Sequence, residues 1–443
     1  MTARSTIKDE RSNRQHPVSW VPTLYFAEGI PFYVVNFLAL VFYKKMGVAN
    51  TITTLVISML SLPWTLKPLW SPMLEMYKTK KFFVVGTQLL GGLSLVLLSL
   101  SLSMPDFFRY SVAIFVVIGF CSATHDIAAD GVYIASLTSK QQAAYIGWQG
   151  ACYNLARVFS MGALLWLVGL FTDRFARAHA AAPVVHAWMI AFSIVGLVLF
   201  ALSLYHARML PAGGEERKTE SVAQMAGTFG DVIVSFFKKK NIFLYLIFIF
   251  LYRAGEGQVM KVGPLFLVDS AKGGLGLSPT EVGTIYGFVG WGVLLGSIVA
   301  GYFAAKLGLK RALTWLLLAL ALPLFSYVFL SQVLPTNPWV VAAALAVEQF
   351  GYGFGFVGII LLMMQEIAPG KYQTAHYAFA NSLMNFGFIV PGAVSGWIQS
   401  RLGYQHFFIW AVCCSVPALV LSRFIPITAG EHAQPPRLAE TQG

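Results

Sequence analysis

Apolar stretches recur from Val18 to Ile425, separated by short polar segments. Each is long enough to cross a bilayer, which takes roughly 17–25 residues as a helix. The pattern predicts twelve spans, near 19–42, 50–71, 82–104, 107–137, 143–170, 184–207, 241–268, 280–304, 311–333, 338–366, 373–399 and 403–425. In hydrocarbon a backbone must bond to itself, so such runs are helices. The expected fold class is an all-α polytopic membrane protein.

The fourth run breaks the apolar pattern most sharply. It contains FCSATHDIAADGVY, Phe120 to Tyr133, and so carries His125, Asp126 and Asp130. Asp126 and Asp130 are one helical turn apart, on one face. A carboxylate at mid-membrane costs at least ~2.5–3.5 kcal/mol, so that face is expected to meet protein or a water-filled cavity, as in an ion or substrate pathway. The plainer alternative is a buried polar knot that only locks helices together.

Composition agrees with the span pattern: 57% of the 443 residues are hydrophobic and 11% are charged, against about 25% charged in soluble proteins. The first eighteen residues are polar and basic. The run after them contains Glu28 and is followed by no small-residue cleavage site, so it reads as a first span rather than a removed signal. Cys121, Cys152, Cys413 and Cys414 all lie in apolar runs and read as small core residues, not disulfides or metal ligands. The net charge of +12 does not call for a nucleic-acid partner. With the N-terminus inside, cytoplasmic segments hold 20 Lys and Arg, outer loops hold 7, and Lys67, Arg157, Arg253 and Lys261 fall within spans. That asymmetry orients both termini to the cytoplasm.

The longest hydrophilic stretch, 208–240, separates the sixth and seventh runs, and 219–237 within it has the spacing of an amphipathic helix. Two matches relate the flanking halves. LYFAEG (Leu24 to Gly29) resembles LYRAGEG (Leu251 to Gly257). Shifting the fifth span by 231 positions pairs Lys140 with Lys371, Gln142 with Gln373, Ala144 with Ala375, Trp148 with Phe379 and Asn154 with Asn385. The expected organisation is an N-tail (1–18), a six-helix bundle (19–207), a cytoplasmic linker (208–240), a second six-helix bundle (241–425) and a C-tail (426–443). This layout resembles a major facilitator transporter, whose substrate site lies between the halves near mid-membrane. GSIVAGYFAAKLGLKR, Gly296 to Arg311, resembles that superfamily's cytoplasmic signature, and WSPMLEMYKTKK, Trp70 to Lys81, holds the matching place without the glycines. The resemblance makes Lys67, Glu75, Lys306 and Arg311 gating candidates, against plain helix packing with basic anchors.

Five acids lie within spans, Glu28, Asp126, Asp130, Glu256 and Glu348, against the four bases. They nearly balance, as buried charges must. Glu28, Asp126 and Arg157 are expected to form one network. Arg253, Glu256 and Lys261 offer a second, and Lys67 is placed to snorkel to the interface. A carboxylate that loses and regains a cationic partner changes its proton affinity. Asp126, Glu28, Asp130 and Glu256 are therefore the candidates for coupling protons to the movement of two halves. Arg157 and Arg253 can grip a carboxylate with paired hydrogen bonds, which suits a small anionic substrate. Lys261, His125, Asn154, Glu348 and Asn385 join them as binding candidates, and Tyr25, Phe32, Tyr33, Tyr286, Trp291 and Tyr352 offer flat apolar surfaces. His376 reads as an interfacial polar residue. His125 and Asp130 also have the His-x-x-x-x-Asp spacing of some membrane acyltransferases, but those motifs work at the membrane surface. The reading is a transporter, not an enzyme.

Five segments together resemble the AmpG-type permeases, a branch of the major facilitator superfamily: KPLWSPMLEMY (Lys67 to Tyr77), GFCSATHDIAADG (Gly119 to Gly131), YNLARVFSMGALLWL (Tyr153 to Leu167), LYRAGEG and VEQFGYGFG (Val347 to Gly355). The resemblance implies proton-driven import of anhydromuropeptides, anionic amino-sugar cell-wall fragments, across the bacterial inner membrane, for peptidoglycan recycling. It gives weight to Asp126, Asp130 and Arg157. Related branches carry siderophores. His125 stands where the family commonly has glutamine, and this chain has twelve spans where some muropeptide permeases have two more. A multi-pass monomer with protons, a small anion and the lipid bilayer as partners, and with no cofactor, completes the expectation.

Overall fold

The computed structural model describes residues 16–71, 74, 78–137, 139–213, 222–370 and 372–427. Among them, eleven helical segments are long and apolar enough to cross a membrane: Pro17–Lys45, Asn50–Leu69, Lys80–Ser101, Phe107–Ser136, Trp148–Arg177, Pro183–Met209, Ile242–Val268, Pro279–Leu307, Leu309–Val333, Pro338–Ile367 and Ala375–Leu421. The last is two spans in one. Gly403 has φ 71° and ψ 170°, a conformation open only to glycine, and there the chain turns back. Twelve spans result, the first six packed as one bundle and the last six as another. The chain is an all-α membrane protein.

Several spans are interrupted where the bundles face each other. The seventh breaks at Arg253 (φ −102°, ψ 1°), between Ile242–Tyr252 and Ala254–Val268. The first is loosened by Pro22 and Pro31 and turns into a π-helix at Val34–Leu38, while the fifth does so at Val158–Ala163, directly after Arg157. Such wide turns rotate the residues beside them and often mark functional sites. In the second span the helix stops at Leu60, resumes over Leu62–Leu66 behind Pro63, and tightens into a 3-10 turn at Lys67–Leu69.

The two bundles are fastened at the face opposite residues 208–240, here called the far face. Lys44 Nζ is 2.6 Å from Asp269 Oδ2. Tyr404 donates to the same carboxylate at 2.8 Å, and Asn50 donates to Tyr404 at 2.9 Å and to Gln399 at 3.0 Å. Burial opposes ionisation of Asp269. Lys44, Tyr404 and the backbone N–H of Ala271 outweigh it and hold the carboxyl below the ordinary aspartate value. The fifth and eighth spans meet almost backbone to backbone near mid-span. A Cβ on Gly162 would lie 2.7 Å from the Cα of Gly287.

At the other face, the linker face, Val222–Phe237 forms a helix within the stretch read as amphipathic. Phe236 is fully buried against His376 (ring centroids 5.6 Å) and Phe379 (5.8 Å). Ser235 and His376 share a 3.0 Å hydrogen bond. His376 is thus a buried docking residue for this helix, not an interfacial one. Lys239 donates to the carbonyls of Ile367 (2.7 Å) and Pro369 (2.6 Å), capping the end of the tenth span.

Candidate functional site

Between the bundles lies a cavity of about 260 Å³. Its acidic side belongs to the first bundle. Asp126 and Asp130 do share one face of the fourth span. Asp126 forms an ion pair with Lys67, and both stay partly exposed (23% for the lysine side chain, 15% for the aspartate). Lys67 lies at the end of the second span opposite Asn50 of the far-face network, so the solvent contact is on the linker side. Tyr25 donates to Asp130 at 3.0 Å. Glu28 is buried, lies against Asp126 and Asp130, and leaves its Oε2 without a hydrogen-bond partner. Three carboxyls therefore surround one ammonium.

An aromatic wall rises from this cluster. Phe32 meets Tyr33 and Trp64 edge to face at 5.3 Å, and Tyr33 lies 5.5 Å from Tyr153. Asn36 and Ser61 on the same side, and Asn381 and Asn385 on the eleventh span, add hydrogen-bonding groups.

The cationic side belongs mainly to the second bundle. The break at Arg253 lets its guanidinium grip Glu256 at 2.8 and 2.9 Å and rest 4.6 Å from the centre of the Phe388 ring. Glu256 also sits in the first turn of the resumed helix, where the helix dipole favours a negative charge. Lys261 is fully buried, 3.4 Å from Ser61 Oγ and 4.8 Å from the Phe388 ring centre. Arg157 reaches from the first bundle to donate to Gln349 Oε1 and lies 5.9 Å from the Tyr352 ring centre. Gln349 Nε2 in turn donates to Glu348 Oε2 at 2.6 Å. Among the described residues, neither Lys261 nor Arg157 has a carboxylate within ion-pair distance.

One expected pairing and one expected placement are corrected. Asp126 takes Lys67 rather than Arg157, so Lys67 is a member of the acidic cluster rather than a snorkelling residue. Arg157 instead crosses to the tenth span, because the π-helix that follows it accompanies a turn toward the opposite bundle.

Other candidates lie elsewhere. His125 points into the first bundle, where its Nε2 meets Gln88 Nε2 at 2.8 Å and Gln88 Oε1 meets His206 Nδ1 at 2.9 Å. One residue from Asp126 it stands about 100° around the helix, off the cavity face. Neither a binding nor a catalytic role is open to it there. Trp291 is 52% exposed on the outside of the second bundle. Asn154 donates to Gly150 of its own helix at 2.9 Å and does not line the cavity. Tyr25 acts through Asp130 rather than at the cavity wall. Tyr286 is buried behind Arg157, beside a second, enclosed pocket. Lys306 and Arg311 are exposed, and Glu75 lies outside the described residues.

Asn36, Ser61, Trp64, Gln349 and Asn381 line or close the site and were not singled out from sequence. Asn381 precedes Asn385 by one turn, and Gln349 follows the buried acid Glu348, so a polar residue adjoining a chosen one was the available signal.

Two helical bundles around one charged cavity, fastened at one face and accessible from the other, define a membrane transporter rather than an enzyme. The sequence profile of the Major Facilitator Superfamily matches residues 23–367 and, in a second alignment, 259–442, and the chain belongs to that superfamily. Within that superfamily the chain is similar to AmpG-type permeases. It is 25% identical over 376 residues to the anhydromuropeptide permease of Escherichia coli K12, covering 82% of this chain and 70% of that protein. It is 20% identical over 421 residues to a protein of Rickettsia conorii named as transporter AmpG 4, covering 91% and 94%. Among solved structures, a D-xylose–proton symporter superposes with a TM-score of 0.71 at 12% identity, covering 94% of this chain and 98% of that one. The nucleoside transporter NupG gives 0.67 at 13%, covering 91% and 97%.

Proposed function

We propose that the protein imports anionic amino-sugar cell-wall fragments of the anhydromuropeptide class across the bacterial inner membrane by alternating access, driven by protons. The observation that carries this reading is the division of charge across the cavity. Among the described residues Arg157, on the cavity wall, and Lys261, buried behind Ser61 and Phe388 of that wall, have no carboxylate within ion-pair distance, so an anionic substrate at Arg157 would supply the missing charge. Opposite them, Glu28, Asp126 and Asp130 share one Lys67, so a proton is the natural additional counter-charge, and movement of Lys67 changes which carboxyl holds it. The aromatic wall and the Asn36, Asn381 and Asn385 amides suit the apolar faces and polar edges of a sugar ring. With the termini in the cytoplasm, the far face is periplasmic and this conformation faces inward. The halves at 19–207 and 241–425 would rock about the cavity as a monomer.

The test is uptake of labelled anhydromuropeptide into vesicles with and without an imposed pH gradient. Uptake should be gradient-dependent, and Asp126→Asn should lower gradient-driven uptake about a hundredfold while leaving folded protein. Undiminished uptake after collapse of the gradient would remove proton coupling. A second reading, transport of another organic anion, is favoured by size, since about 260 Å³ falls below the roughly 300–1,000 Å³ common for small-ligand pockets. Competition by smaller organic anions, with a siderophore as a second competitor of muropeptide size, separates the two in the same assay.

A further inference from the structure

Arg157 is shared by two compartments. One is the central cavity; the other is an enclosed pocket of about 10 Å³, walled by Phe37, Met161, Met260, Tyr286, Tyr327 and Gln349. The small pocket has room for about one water molecule. Phe37 and Pro264 in its wall precede Lys44 and Asp269 by about two turns or less, so this pocket lies between the central cavity and the far-face network. Phe37, Met260 and Arg157 line both compartments and so stand between them, and Arg157 is held there by a chain of side chains running from the fifth span to the tenth: Arg157 to Gln349 to Glu348. Arg157 is 7% exposed and Gln349 2%.

The chemistry of this bridge is unequal. A guanidinium facing a carboxylate gains charge–charge attraction and a two-pronged fit that a neutral amide oxygen does not supply. Gln349 offers a neutral amide oxygen to a buried cation, and a carboxylate arriving from the cavity offers a better partner at the same place. Gln349 leaves no ionised group stranded when displaced, whereas a glutamate there would hold Arg157 as a buried ion pair. Glu348 holds the Gln349 amide from behind, which fixes the oxygen toward Arg157.

We propose that Gln349 is a built-in competitor of the cargo. When the molecule faces the linker side, the Gln349 amide takes Arg157, displaces the cargo's anionic group, and seals the far face in the same movement. This rests on Arg157 being the anion site, but the sealing role does not.

The experiment uses the full chain with its four cysteines replaced and the variant M161C added, in vesicles exposed to a membrane-impermeant maleimide from either face. Gln349→Ala should raise far-face labelling several-fold, and Gln349→Glu should suppress it below the starting rate. The exchange Arg157→Gln with Gln349→Arg should restore the starting rate, and it still tests the bridge if Gln349→Ala does not fold. Equal labelling in all of these variants overturns the seal. No cargo is present in this arm, so its failure is distinct from failure of the proposed function. In a second arm, anhydromuropeptide is offered from the linker face. Its apparent affinity should rise about tenfold in Gln349→Ala, the worth of one hydrogen bond to a charged group. An unchanged affinity with raised labelling would overturn the competitor role.

Discussion

The two bundles carry the same local sequence and use it differently. Leu24 to Gly29 and Leu251 to Gly257 begin alike, and in each the tyrosine bonds to the fourth span of its own bundle: Tyr25 to the carboxylate of Asp130 at 3.0 Å, Tyr252 to the carbonyl of Gly355 at 2.7 Å. After the tyrosine they part. The second copy has Arg253 and one extra glycine, its helix breaks, and Glu256 closes on that arginine three residues away. The first copy has Phe26, its helix continues, and Glu28 is left to share Lys67 with two aspartates. One acid is permanently partnered, the other conditionally. A repeat can thus supply a fixed structural charge pair on one side of a cavity and an adjustable one on the other.

Removing a partner from each side sharpens this difference. Glu256→Gln leaves Arg253 buried and unpaired, which should cost about 3–5 kcal/mol. The expected result is a large fall in folded protein, read by the midpoint of thermal unfolding in detergent. If the unfolding midpoint stayed put, the fixed-pair interpretation would fail. Lys67→Gln acts on a pair in reach of water, where such contacts contribute about 1 kcal/mol or less. The protein should remain folded while uptake loses its dependence on the pH gradient. The smallest effect belongs to the far-face network, which should not titrate in the working range. The carboxyl of Asp269 is held below its ordinary value, so its contribution is complete above the unfolded pKa, about 3.9, and is lost as pH falls through the lower folded value. Far-face labelling, taken relative to a fully exposed cysteine labelled at the same pH so that the loss of thiolate cancels, should therefore be flat from about pH 8 to 5 and rise only below about pH 4. A rise near neutrality would move proton sensing from the Lys67 cluster to this network.

The amino-acid sequence announced most of the scaffold because its signals are one-dimensional. Span length, basic loops and the four-residue spacing of Asp126 and Asp130 need no knowledge of neighbours. The turn-away of His125 was also readable, since it follows from the helical step beside Asp126. Partner choice was not. The break inside Ile242–Val268 is marked only by Arg253 and its neighbouring glycines, which do not say where the arginine will point, and the π-helix after Arg157 carries no compositional mark. Both redirect a long side chain across the cavity. Glu28, Asp126 and Arg157 lay at compatible depths, but depth along a helix says nothing of azimuth once the helix is irregular. Trp291 failed for the related reason that an aromatic in a span has no preferred side until the bundle is assembled.

The contact of Gly162 with Gly287 has a mechanical consequence. Surfaces without side chains have no knobs to lift from holes, so one bundle can roll over the other there as smooth cylinders do. Resistance to that rolling then resides in a few discrete polar fasteners, which can be opened one at a time, rather than in the apolar bulk of the interface.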